Sequence, residues 1–194
     1  MLRFPLLVAS CLAAFTSALK IQKFDDNYDN LGQSIALGIP AITSVNGLTY
    51  QGWTLGTSNP VTGTNGGVIP HTQKNTAVAV TTLTPTGNPG VISVGKGVKC
   101  FDAKSFYFGC ILNAAQGQVS AATGCGINVS GFTAYGKNMV GSVSFNYDPA
   151  SPMRLADLSK NPNYKCLTNL TIAVLTPQAL ALLQIDDFVH TNNS

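Results

Sequence analysis

Short runs in which apolar and polar residues alternate recur along this chain, divided by segments rich in Gly, Pro, Asn and Thr. A period of two is the signature of a half-buried β-strand. Ile21 to Phe24 gives a first strand ending in Asp25-Asp26. Asn46-Gly47 is a hairpin turn signal, and Leu48 to Leu55 reads as the strand leaving it. That strand places Leu48, Tyr50 and Gly52 on one face and Thr49, Gln51 and Trp53 on the other, so each face carries an aromatic. Further strands are expected at Thr76 to Leu83, Val91 to Val94, Cys125 to Phe132, Met139 to Tyr147, Cys166 to Leu175 and Gln184 to Val189. The densest stretch is Lys104 to Leu112, with three aromatics, a cysteine and no proline, and it reads as the central strand. Phe106 and Phe108 should lie in the core, with Tyr107 on the opposite face. About ten short strands separated by turns predict an all-β antiparallel sandwich of jelly-roll type. Gly56 to Asn75 is the long polar loop of the chain, and Val68-Ile69-Pro70 could dip back onto the body.

Composition narrows this picture. The absence of Glu, with Gly, Thr, Asn and Val abundant, argues against long solvent-facing helices. Eleven basic and eight acidic residues give a net charge of +3. This is too weak and too dispersed for a nucleic-acid surface. Residues 1–18 show a basic start, a brief apolar run and the small exit Thr16-Ser17-Ala18, the form of a secretory signal. Cleavage after Ala18 would leave residues 19–194 as one extracellular domain. No later stretch reaches the ~20 apolar residues of a membrane span.

Cys11 leaves with the signal, so Cys100, Cys110, Cys125 and Cys166 remain, an even set without the spacing of a zinc knuckle. Four cysteines allow three pairings. Cys110 ends the central strand and Cys125 begins the next long one. A hairpin-like return therefore predicts Cys110–Cys125, which leaves Cys100 for Cys166. The sandwich is thus expected to be pinned by two disulfides.

The run Phe101 to Cys110, followed by Cys125 and the Gly131-Phe132 strand, resembles a group of uncharacterised secreted fungal proteins. The upstream segment Gly47, Leu48, Tyr50 and Trp53, and the closing Ile185-Asp186-Asp187, share that resemblance. It implies a fold similar to the galactose-binding-like jelly rolls of carbohydrate-binding modules, and it brings no catalytic residues.

Candidate chemistry is sparse. His71 and His190 are the two histidines, neither beside a nucleophile motif, and no G-x-S-x-G elbow or H-E-x-x-H helix is present. Asp25-Asp26 and Asp186-Asp187 sit on the first and last strands, which are commonly neighbours in jelly rolls. Four converging carboxylates would call for a cation, and oxygen ligands suit a structural Ca²⁺, weighed against the commoner fate of such aspartates, solvated strand ends and turns. Alternation along a strand lets only one of each pair face the ion, with Asp25 and Asp187 preferred over Asp26 and Asp186. Trp53 and Tyr50 are the candidate sugar-stacking platform, weighed against the commoner fate of such rings, the core. Asn128-Val129-Ser130, Asn169-Leu170-Thr171 and Asn192-Asn193-Ser194 match the glycan acceptor pattern, and Asn128 and Asn169 fall at polar positions of their strands.

The functional expectation is a secreted, non-catalytic binding protein whose partner is a cell-wall polysaccharide or other carbohydrate. The alternative is a secreted interaction protein or effector that binds an extracellular protein and has no sugar affinity. A small hydrolase ranks third. No nucleic acid is expected as a partner.

Overall fold

The computed structural model describes residues 21–31, 41–57, 63, 67–72, 74–79, 89–112, 121–175 and 181–194. The expected signal at residues 1–18 and the segments 80–88 and 113–120 lie outside the described residues. Twelve strands are found among the described residues. They are β1 (Ile21–Asp26), β2 (Ser44–Val45), β3 (Leu48–Gln51), β4 (Trp53–Thr57), β5 (Asn75–Ala79) and β6 (Gly90–Val94). The second half contributes β7 (Cys100–Leu112), β8 (Cys125–Thr133), β9 (Asn138–Tyr147), β10 (Arg154–Asp157), β11 (Asn169–Val174) and β12 (Ala181–Asn193). Short 3₁₀ turns follow β1, at Asp29–Leu31, and β10, at Pro162–Tyr164.

The strands form two antiparallel sheets packed face to face. Sheet I runs β10-β7-β12-β5-β4, with β1 also paired to β12, and sheet II runs β2-β3-β6-β11-β8-β9. The all-β sandwich read from the alternation is therefore the fold. Its core lies between the sheets, where Phe106, Phe108, Phe188, Leu48, Ile92, Ile127 and Leu170 are fully buried. Tyr107, opposite Phe106 and Phe108, is only partly buried. Val68 is also fully buried, so the long loop does return to the body as expected.

Two expectations need correction. The central strand of sheet I is β12 rather than β7. One edge of β12 pairs with β7 along its length, and the other pairs first with β5 and then with β1. Aromatic density marked β7 as buried, but local sequence does not reveal how many neighbours a strand has. The expected strand Leu48 to Leu55 is in fact two. Gly52, at φ 78°, takes the left-handed bend open to glycine and carries the chain from sheet II into sheet I.

That bend decides the fate of the proposed sugar platform. With the alternation broken at Gly52, Tyr50 and Trp53 both turn into the core, 5% and 1% exposed. Tyr50 meets the rings of Tyr28 and Trp53 edge-on. A Cβ on Gly90 would lie 2.3 Å from the Trp53 ring, so the indole occupies space that only glycine leaves open. Buried rings offer no face to a pyranose, and the platform reading of Trp53 and Tyr50 is withdrawn.

Both expected disulfides are present, Cys110–Cys125 and Cys100–Cys166. The first ties the end of β7 to the start of β8, joining the two sheets across 15 residues of chain. The second ties the start of β7 to the segment entering β11.

Candidate functional site: the seam between the first and last strands

β1 and β12 pair antiparallel from Ile21↔Asn193 to Asp26↔Phe188, so the two aspartate pairs do meet. The pairing of β12 with β7 slips between Asp186 and Val189, and Asp187 sits at φ 48°. Aspartate is one of the few residues that tolerates this left-handed conformation. The resulting bulge breaks the alternation. Asp186 and Asp187 therefore face the same neighbour, Thr72, instead of opposite sides of the sheet.

Thr72 belongs to the returning loop. Its backbone N–H donates to Asp186 Oδ2 at 2.8 Å. Its Oγ1 lies 3.1 Å from both Asp186 oxygens and 3.0 Å from Asp187 Oδ1. One hydroxyl hydrogen cannot serve three carboxylate oxygens. A protonated Asp186 resolves the shortage, donating to Thr72 Oγ1 while Thr72 passes its own hydrogen to Asp187. Burial raises the Asp186 carboxyl to about 7, opposed by the Thr72 N–H and reinforced by the charge of Asp187. The other Asp187 oxygen contacts His71 Nδ1. The His71 ring lies flat on Tyr107, with centroids 3.5 Å apart, and its side chain is 45% exposed. A carboxylate behind one nitrogen of an exposed imidazole is half of a general-base arrangement. Among the described residues no serine hydroxyl bonds to His71.

Asp26 points the other way, into the sandwich. It accepts from Tyr50 Oη at 2.7 Å and from Asn46 Nδ2 at 2.6 Å, and His190 Nε2 lies 3.2 Å from Oδ2. Burial, together with the charge of Asp26 and the neighbouring Tyr28, holds the Tyr50 phenol well above its usual range, so it remains a donor. Asn192 Nδ2 donates to the Asn46 carbonyl at 2.8 Å, which leaves Asn192 Oδ1 as the acceptor 3.0 Å from His190 Nδ1. His190 Nδ1 therefore carries a hydrogen. Nε2 approaches Asp26 outside hydrogen-bond geometry, but the carboxylate still places negative charge beside it. The ring is fully buried and stacks on Phe24 and on Phe188 at 5.1 and 5.3 Å.

The carboxyls of the seam each lie beside protein side chains. Tyr50, Asn46 and His190 meet Asp26, while Thr72 and His71 meet Asp186 and Asp187. Among the described residues no three carboxylate, histidine or cysteine side chains form a metal-holding group. Asp25, the preferred ligand, is exposed. Partial burial raises its carboxyl, and the charges of Asp187 and Asp26 push the same way.

Asp25 instead lines a cleft of about 240 Å³ at this end of the sandwich, with Asn27, Asn30, Ser44 and Asn46 as polar walls and Leu31 as an apolar one. The cleft lies between the end of β1 with its 3₁₀ turn and the β2–β3 hairpin. Asn46 holds φ 46° in the turn, and its amide is fixed on Asp26. Of these residues the sequence had marked only the aspartates and the Asn46-Gly47 turn. His71 and His190 carried no local motif, and their roles arise from partners more than 100 residues away (His71) or on a strand whose pairing was unknown (His190).

The raised carboxyls set the pH response. Folding lifts Asp186 from 3.8 to about 7, so between those values the folded chain holds a proton that the unfolded chain has released. Stability from this group is complete below about 3.8 and is lost as pH rises through about 7. Asp25 acts in the same direction. Urea unfolding should show lower stability at pH 8 than at pH 5, with a smaller difference in Asp186→Asn. A stability that climbs across this interval, or a difference unchanged in the variant, contradicts the assignment.

The chain matches no family model and no curated protein. In shape it is similar to the crystal structure of a DUF4465 family protein from Bacteroides caccae. The TM-score is 0.51 at 13% identity, covering 95% of this chain and 97% of that one. At that identity the likeness concerns the fold.

Proposed function

We propose that this protein is an extracellular, non-catalytic binding protein that takes a small polyhydroxylated ligand, a carbohydrate end or single sugar ring, in the cleft between Asp25 and Asn46. The observation that carries the reading is the composition of the cleft. An exposed carboxylate, several carboxamides and a hydroxyl surround a space with one apolar side. Carboxylates and carboxamides accept from and donate to neighbouring sugar hydroxyls, while Leu31 suits a C–H face. At about 240 Å³ the cleft is smaller than the roughly 300–1,000 Å³ of drug-sized sites. It suits one ring, with a polymer continuing into solvent. Two disulfides agree with an oxidising compartment. The resemblance to galactose-binding-like jelly rolls points the same way by analogy of fold alone.

Titration calorimetry with galactose, mannose and soluble chitin and β-glucan oligosaccharides tests this. Saturable binding to at least one is expected, weakened tenfold or more by Asp25→Ala or Asn30→Ala. Both residues are exposed, so the unfolding midpoint should hold. Absence of binding to all of them would favour the second reading, a secreted protein that engages another protein. Tyr135 and Met139, 78% and 63% exposed around the β8–β9 turn, are the observation behind that alternative.

A further inference from the structure

The two sheets differ in charge. Sheet I carries aspartate, lysine, arginine and histidine on its strands, whereas no strand of sheet II contains a charged residue or a histidine. Its inward positions, such as Leu170, Ile172, Ile127 and Val129, are buried. The outward positions of β11, β8 and β9 are mostly Asn, Ser and Thr, with Gly126, Ala173 and the exposed Met139 among them. A broad outer face without charge is unusual for a soluble surface, which normally mixes both signs.

Two acceptor patterns lie on this face. In Asn128-Val129-Ser130 and Asn169-Leu170-Thr171 the asparagine and the hydroxyl residue are two positions apart on the same side of the sheet; Asn128, Asn169 and Thr171 are half-buried there, and Ser130 lies beneath Asn128 and Ser142 at 7% exposure. Thr171 sits directly opposite Ser130. The two asparagines are four positions apart along neighbouring strands, roughly 13 Å at the rise of a strand, far enough for separate glycans. We propose that N-linked glycans on Asn128 and Asn169 cover the outer face of sheet II and supply the solubility that its side chains do not.

The amide chemistry allows it. A primary amide has two hydrogens, and the fold uses one from each: Asn128 Nδ2 donates to Ser130 Oγ at 3.2 Å, and Asn169 Nδ2 to Ser93 Oγ at 2.9 Å. In transfer, Nδ2 loses a proton and bonds to the anomeric carbon of an oligosaccharide carried on a lipid pyrophosphate. The bond from that carbon to the pyrophosphate breaks, and the pyrophosphate departs with the electron pair. Asn192 is different. It is 7% exposed, with its amide held between the Asn46 carbonyl and His190. A glycan there would prevent the β1–β12 seam from closing, so the folded protein carries none.

The test is the intact mass of the full chain secreted by a eukaryotic host, before and after endoglycosidase, with peptide mapping. A second arm places residues 19–194 behind the host's own leader, so failure of the native leader counts against secretion and leaves the glycans measurable. Two glycans are expected. One should be lost in each of Ser130→Ala and Thr171→Ala, which keep the asparagines, and Ser194→Ala should leave the mass pattern unchanged. Enzymatic deglycosylation should lower solubility and promote self-association. A secreted product without glycan at these two sites, or with glycan at Asn192, overturns the assignment. Unchanged solubility after deglycosylation overturns the shielding role.

Discussion

His190→Ala should lower stability by roughly 3–5 kcal/mol, the usual cost of truncating a large buried ring to alanine. The variant opens a cavity beside the buried Asp26 carboxyl and removes a ring stacked on Phe24 and Phe188. It also frees Asn192, whose amide links the seam to the Asn46 turn. Asp26→Asn should cost less than His190→Ala, because the amide still accepts from Tyr50. The double variant should cost less than the sum, since its two sites touch. Urea unfolding of the three proteins provides the measurement. A loss below about 1 kcal/mol for His190→Ala, or strict additivity, would mean that the ring and Asp26 are not packed together in the folded protein.

Removing the Cys100–Cys166 bridge by paired alanines should cost about 4 kcal/mol, and removing Cys110–Cys125 about 3 kcal/mol, from the chain entropy that each closure withdraws from the unfolded state. The difference follows from sequence separations of 66 and 15 residues. Denaturant midpoints of the two double variants at equal m-value decide it. The longer closure also anchors the segment before β11, where Leu167 pairs with Phe101 and Thr168 bonds to Phe132 and Val94. A smaller cost for that bridge than for the shorter one would show that residual structure in the unfolded chain outweighs loop length.

Much of this architecture was legible along the chain because alternation is a local property. Each outward Asn, Ser or Thr of β8 and β11 stands beside the apolar residue that proves its strand's orientation. Phe106 and Phe108 declared the core in the same way, and the even set of cysteines with the return from Cys110 to Cys125 was enough to pair the bridges. The meeting of the first and last strands followed from the topology expected of a jelly roll. Three decisions belonged to the tertiary structure alone. Gly52 bends the chain between sheets, which moves Trp53 from an apparent outer face into the core. The bulge at Asp187 turns two adjacent carboxylates to one side, where strict alternation had separated them. The partners of Asp26, Asp186 and Asp187 come from the β2–β3 hairpin, a distant loop and the last strand, and a buried polar group is settled by whatever partners the fold brings within reach. Period and composition tell where a side chain wants to lie; only the packed neighbours decide what it meets there.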